Sequence, residues 1–205
     1  PYDGVAALNG ADCLMRDGRV VARHPISRSD FERAMQLADR YGFSLAFELN
    51  EGLFVNRLSP GAEEWARMVA HPMPVETNLY ELFDNAECCQ MCFFFDPETQ
   101  RRVMAELPSL VATRWCPVFA DINVRGVDKA TGMAEFAAHF GFAHDETMAF
   151  GDGGNDVAML RAAGVGVAMG NACDEALAAA DYITASVDDD GIRRALEHFG
   201  VIDKR

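Results

Sequence analysis

The sequence predicts an α/β protein: a parallel-sheet core made from the two ends of the chain, with a mixed α+β insertion between them. Three observations carry this. From Lys129 onward, short apolar strands alternate with helices, which implies right-handed βαβ crossovers and a parallel sheet. Between about Pro25 and Asn123 the elements come in mixed order with short connections, which suits antiparallel pairing. Half of the 205 residues are apolar and 24% are charged, enough to bury the core of one large domain or two small ones.

The elements follow in order. Val5 to Leu8 reads as a strand ending at the turn Asn9-Gly10. Cys13 to Met15 and Val20 to Ala22 flank Arg16-Asp17-Gly18-Arg19 and predict a hairpin. Ser27 to Tyr41 predicts a helix with Ser29 as N-cap, Glu32 completing a capping box, and Gly42 as the stop. Ser44 to Leu49 and Leu53 to Asn56 predict a strand pair. Gly61 to Ala70 reads as a helix, His71 to Asn78 as a connection, and Leu79 to Phe83 as a helical turn. A strand at Cys89 to Phe95, a helix at Pro97 to Leu107, and strands at Leu110 to Arg114 and Val118 to Asn123 close the insertion. Then come helix Lys129 to Phe140, strand Thr147 to Phe150, helix Asp156 to Ala163 and strand Val165 to Met169. Helix Asp174 to Ala179, strand Tyr182 to Thr184 and helix Gly191 to Phe199 complete the series.

The net charge of −14 argues against a nucleic-acid partner, which needs clustered Lys and Arg. An acidic protein that binds an anion must concentrate positive charge locally, through a bound cation or a few placed Lys and Arg residues. No apolar run approaches the roughly 18 residues of a membrane span, and the N-terminus lacks the basic-then-apolar order of a signal peptide. The sequence therefore reads as cytoplasmic, a monomer or weak homo-oligomer. Of six cysteines, Cys89 and Cys92 form a lone CxxC on an apolar strand. No second ligand pair is spaced to make it a zinc site, so both read as small core residues.

Two motifs carry chemistry. In Phe150-Gly151-Asp152-Gly153-Gly154-Asn155-Asp156 an apolar strand ends in a glycine-rich loop that carries two carboxylates and an amide into a helix. Ligands of open α/β sheets bind at such strand ends. Carboxylate oxygens suit Mg²⁺, and a helix N-terminus favours an anion. Alone, the loop fits a capped surface turn equally well. In Gly126-Val127-Asp128-Lys129 a lysine opens a helix, against the macrodipole. A bound phosphoryl group would explain it; so would an exposed Lys behind an Asp cap.

Together with Asn9-Gly10-Ala11, Val167-Ala168-Met169-Gly170-Asn171-Ala172 and Ala180-Asp181-Tyr182-Ile183-Thr184, these motifs resemble the Cof-type subgroup of the haloacid dehalogenase superfamily. The resemblance is strongest from Asp121 to Ile202. Arg114-Trp115-Cys116-Pro117-Val118-Phe119-Ala120-Asp121 is similar to members that hydrolyse sugar phosphates. The resemblance implies a Rossmann-like core from residues 1–24 and 124–205 and an inserted cap of the larger type over 25–123. It implies a Mg²⁺-dependent phosphatase of small phosphorylated metabolites. Lys129 would hold the transferring phosphoryl group and Asp152 would bind Mg²⁺. Asn155 and Asn9 would contact substrate, and Asp156 would orient Lys129 or support the metal shell.

The family's nucleophile motif, Asp-x-Asp, precedes the strand matched by Val5 to Leu8, so the attacking Asp is expected upstream of Pro1 and the 205 residues alone are expected to be inactive. Asp188-Asp189-Asp190-Gly191 reads as a helix-capping turn instead. A phosphomutase on the same fold, or a binding protein without a nucleophile, remain the alternatives. For substrate selection the candidates are Glu48, Asn50, Glu51, Asn56, Arg57, Arg114, Trp115 and, at the return from the insertion, Arg125.

Overall fold

The computed structural model describes residues 2–49 and 52–203. The chain divides into two compact units: Pro1–Ala22 with Val127–Arg205, and Arg23–Gly126. The first begins with an antiparallel meander, β1 (Gly4–Ala7), β2 (Asp12–Met15) and β3 (Val20–Arg23), in the order β1-β2-β3. Between β1 and β2, Leu8–Gly10 forms a 3-10 turn in which Leu8 and Asn9 are left-handed, with φ of 53° and 57°. The predicted strand therefore ends one residue early.

The Arg23–Gly126 unit is a six-stranded sheet flanked by four helices. Helix α1 (Arg28–Tyr41) is capped by Ser27, whose Oγ accepts from Asp30 N–H, two residues before the Ser29 that the pattern suggested. Strands β4 (Ser44–Leu49) and β5 (Gly52–Val55) pair antiparallel, followed by α2 (Pro60–Met68) behind a Ser59 cap. The stretch read as a plain connection contains β6 (Val75–Glu76), parallel to β5. Then come α3 (Leu79–Asn85), β7 (Met91–Phe94), α4 (Pro97–Ala105), β8 (Leu110–Cys116) and β9 (Phe119–Val124). The sheet order is β6-β5-β4-β7-β9-β8, and every neighbouring pair except β5–β6 is antiparallel.

Alternation along the strands sorts this unit's side chains into two cores. Leu45, Phe47, Phe93 and Ile122 pack with Phe31 and Leu37 of α1, Leu79 of α3 and Val103 of α4. On the opposite face Ala46, Val55, Phe94 and Phe119 pack with Ala62 and Trp65 of α2.

The first unit resumes with α5 (Lys129–Phe140), which ends at Gly141 as predicted. Strands β10 (Met148–Gly151), β11 (Val165–Ala168) and β12 (Tyr182–Ile183) form a parallel sheet in that order. They are joined through α6 (Val157–Ala162) and α7 (Asp174–Leu177), and α8 (Gly191–His198) follows. The expected αβ alternation is thus present, with 3-10 turns at His144–Glu146, Gly154–Asp156 and Val187–Asp189 that periodicity did not indicate. Leu160 of α6 is fully buried, and α6 packs on both β10 and β11. No helix among the described residues is long and apolar enough to cross a membrane.

Candidate active site

Asp156 organises the loop that follows β10. It is buried, and its two oxygens do different work. Oδ2 accepts from the backbone N–H groups of Asp152, at 3.0 Å, and Gly153, at 2.9 Å. Oδ1 meets Lys129 Nζ at 2.5 Å. The turn is tight: a Cβ on Gly151 would lie 2.5 Å from the Asp156 Cβ, so only glycine fits where the strand hands over to the loop. Burial pushes the Asp156 carboxyl up. The Lys129 ammonium and the two backbone N–H groups outweigh it and hold the group below the ordinary carboxylate value.

Lys129 is the first residue of α5. Asp128 caps the helix, accepting from Thr131 N–H at 3.0 Å while Thr131 Oγ1 accepts from Asp128 N–H at 3.3 Å. This capping box fixes the start of the helix and with it the base of the lysine side chain. A cation in a first turn opposes the macrodipole; the buried carboxylate of Asp156 offsets that.

Asn9 reaches the same place from the other end of the chain. Its Oδ1 accepts from Asn155 Nδ2 at 3.2 Å. Two glycines make the approach possible. Gly10 has φ of 89°, and a Cβ there would sit 2.1 Å from Asp128 O; a Cβ on Gly132 would sit 2.9 Å from Gly10 Cα. The 3-10 turn at Leu8–Gly10 therefore lies directly on the first turns of α5. A glycine inside a helix costs about 1 kcal/mol relative to alanine, and that penalty is the sequence signal that marks Gly132 as a contact point.

Asp152 differs from Asp156. Its carboxylate is exposed and makes no hydrogen bond or ion pair among the described residues. An unengaged hard-oxygen ligand at a strand end, beside an amide and an ammonium, suits Mg²⁺, which takes one or two carboxylates and completes its shell with water and phosphate oxygens. The described residues contain no group of three His, Cys, Asp or Glu side chains placed to hold a metal by themselves.

Asn9, Lys129, Asp152, Asn155 and Asp156 are thus neighbours within one unit. Arg125 is not among them. It belongs to the other unit, where Nε donates to Pro108 O at 2.7 Å and Nη2 to Leu110 O at 2.8 Å, tying the turn between α4 and β8. Three other polar residues read as substrate contacts also hold backbone. Asn56 Oδ1 accepts from Leu45 N–H. Arg57 donates to Ala38 O and Phe43 O at the end of α1. Arg114 donates to Phe95 O, Cys116 O and Pro117 O. Asn50, Glu51 and the Trp115 side chain lie outside the described residues.

Cys13 lies against Gly10 and Gly132 and is fully buried. Burial, then the negative charges of Glu135 and Asp12, push its thiol up to about 11.

The family model for haloacid dehalogenase-like hydrolases matches residues 2–196. The Bacillus subtilis (strain 168) protein YkrA is 28% identical over 187 residues, 91% of this chain and 72% of that protein. The 5-amino-6-(5-phospho-D-ribitylamino)uracil phosphatase YcsE of the same organism is 38% identical over 107 residues, 51% of this chain and 43% of that protein. Among solved structures, BT1666 of Bacteroides thetaiotaomicron, described among phosphatases of this superfamily, superposes with a TM-score of 0.94 at 52% identity. The match covers 98% of this chain and 75% of that one. The subclass IIB sugar phosphatase BT4131 gives 0.85 at 34% identity over 98% of this chain and 77% of that one. With the lysine, aspartates and asparagines of the motifs assembled around one strand end, the chain belongs to the haloacid dehalogenase-like hydrolases, among the Cof-type phosphatases.

Proposed function

We propose that the protein hydrolyses phosphomonoesters of small metabolites, sugar phosphates foremost, in a Mg²⁺-dependent reaction through an aspartyl-phosphate, in the cytoplasm. The observation that carries this is the Lys129–Asp156 pair held beside the unengaged Asp152. Phosphoryl transfer asks the protein mainly for position and charge neutralisation. Lys129 supplies the charge: its ammonium faces the transferring phosphoryl oxygens while Asp156 fixes Nζ. The Asn155 amide donates to a phosphoryl oxygen, and Asn9 sets the direction of that amide. Asp152 would hold Mg²⁺, which when bound adds positive charge against the phosphate.

The attacking carboxylate in this reading is the first Asp of the family's Asp-x-Asp motif. Its oxygen bonds to phosphorus as the ester oxygen leaves with a proton. Water then cleaves the acyl phosphate, so that one ester and one water give one alcohol and one phosphate. The Arg23–Gly126 unit acts as the cap that selects substrates. BT4131, a sugar phosphatase at 34% identity, supports the substrate class.

The test is a panel of phosphomonoesters assayed with Mg²⁺ on the full-length polypeptide and on Lys129→Ala. Turnover should depend on Mg²⁺, and the variant should lose kcat by about 10²–10³, the usual effect of removing one charge-stabilising group. Unchanged turnover in Lys129→Ala on the best substrate would remove the role given to the lysine.

A further inference from the structure

The motif Val167-Ala168-Met169-Gly170-Asn171-Ala172 takes no direct part in the cluster around Lys129, yet the chain it leads into reaches Asp152. Strand β11 ends at Ala168, and Met169 N–H extends its pairing with β10 by donating to Gly151 O at 3.0 Å. The chain then turns, with Ala172 N–H donating to Met169 O at 2.9 Å, and Cys173 N–H donates to Asp152 O at 2.9 Å. Asp152 N–H already donates to Asp156 Oδ2. Both backbone polar groups of Asp152 are therefore held, each from a different loop, while its carboxylate stays exposed.

The loop 169–173 is anchored on its other side as well. Gly170 N–H donates to Ala185 O at 3.0 Å, and a Cβ on Gly170 would lie 2.7 Å from Ser186 N, so the close approach needs glycine. Asn171 Oδ1 accepts from Val187 N–H at 3.0 Å, and the Ser186 hydroxyl lies 3.5 Å from the same oxygen. This bond has a consequence for Asp152, which stands among Gly151, Gly153 and Gly154. Glycines leave a loop with backbone freedom that must be lost before a carboxylate can hold an ion. Bonds that remove that freedom in the free protein raise affinity without touching the ion. An asparagine that only satisfied the first N–H of the turn Val187–Asp189 would contribute stability alone. The Cys173–Asp152 bond, two residues on, links it to the carboxylate.

We propose that Asn171 is a positioning residue for Asp152. By fixing the loop 169–173 against Val187 it presents Cys173 N–H to Asp152 O, and so preorganises the Asp152 carboxylate for a divalent cation. The inference rests on the reading of Asp152 as the Mg²⁺ ligand of the phosphatase.

The test measures Mn²⁺ binding to the full-length polypeptide by electron paramagnetic resonance, without substrate, in about 0.3 M KCl to screen surface charge. Asn171→Ala should raise Kd about tenfold, the lower end for groups that orient a metal ligand from outside its shell. Asn171→Asp keeps the acceptor oxygen and should bind as the wild type does. Gly141→Ala, at the far end of α5 in the same unit, is the control: it loses stability through its left-handed φ of 75° and should leave Kd unchanged. With p-nitrophenyl phosphate, the Mg²⁺ concentration at half-maximal rate should rise by the same factor in Asn171→Ala, while kcat at saturating Mg²⁺ stays at the wild-type value. An unchanged Kd in Asn171→Ala, an equal rise in Gly141→Ala, or no rescue by Asn171→Asp overturns the proposal and leaves the reading of Asp152 standing. Wild-type protein that binds no Mn²⁺ removes that reading, and this inference with it.

Discussion

At the scale of the residue, Asp156 joins fold to chemistry. It is a buried carboxylate that holds one lysine and two backbone N–H groups. Asp156→Asn keeps the shape but must turn an NH₂ toward either Lys129 or the loop amides. Removing one partner of a buried pair costs about 3–5 kcal/mol; Lys129 has a side-chain exposure of 34%, and solvent screening brings the cost below that range, to about 2–3 kcal/mol. The sign with pH follows from the depressed carboxyl. A group whose folded value lies below its unfolded value, about 3.9, contributes fully above that value and loses its contribution as pH falls through the folded one. The gap in urea-unfolding stability between wild type and Asp156→Asn should therefore be constant from about pH 6 upward and shrink below about pH 4. A gap that persists unchanged into acid would mean that ionisation plays no part. The motif residues at this scale were readable because a Gly-rich strand end and a helix-opening lysine each break a local rule. The bonds that Arg57, Arg114 and Arg125 make to backbone carbonyls were not, because no sequence pattern announces which carbonyls a guanidinium will reach.

At the scale of the element, the α-helices were legible down to the single turn α7, but the 3-10 turns and the two-residue strand β6 were not. Helix α5 runs from Lys129 to Phe140 as read, because Asp128 and Gly141 mark both ends. Strand β6, two residues long, has no period to read, and its pairing with β5 is set by the surrounding sheet. The contact between the Leu8–Gly10 turn and α5 was also invisible, although Gly132 marks it. Propensity alone says that Gly132→Ala stabilises α5 by about 1 kcal/mol. Geometry says otherwise, since the new Cβ would lie 2.8 Å from Ala6 Cβ and 2.9 Å from Gly10 Cα. Overpacking costs about 1–3 kcal/mol, so the variant should lose about 1 kcal/mol net and melt about 2–4 °C lower. Gly10→Ala adds a left-handed φ to a 2.1 Å approach to Asp128 O and should lose more. Gly141→Ala, with φ of 75° and open space around the new Cβ, should lose only the backbone term, about 1 kcal/mol. A rise in melting temperature for Gly132→Ala would show that the turn does not rest on the helix.

At the scale of the whole molecule, the change of element order at Lys129 announced two kinds of architecture, but not how unevenly the core is shared. Among the described residues the fully buried aromatic side chains, Phe31, Phe47, Phe93 and Phe119, all lie in Arg23–Gly126, whereas the other unit's largest fully buried side chain is Leu160. The other unit buries mainly small residues such as Ala149, Val167 and Ala176, and leaves Val5, Phe142, Val187 and Ile192 exposed at 44%, 54%, 63% and 48%. Hydrophobic burial is the dominant favourable term in folding. The continuous Arg23–Gly126 segment, with its own sheet and two cores, should therefore fold when expressed alone. Both tryptophans of the sequence, Trp65 and Trp115, fall inside it. Trp65 is buried at 5% exposure, so its fluorescence reports the packing of α2 on the sheet. Urea should unfold the excised segment in one cooperative transition with a red shift in emission and a slope of about 1–1.5 kcal/mol/M, as for other domains of its size. A broad, non-cooperative loss of emission from the excised segment would show instead that its two cores depend on the rest of the chain.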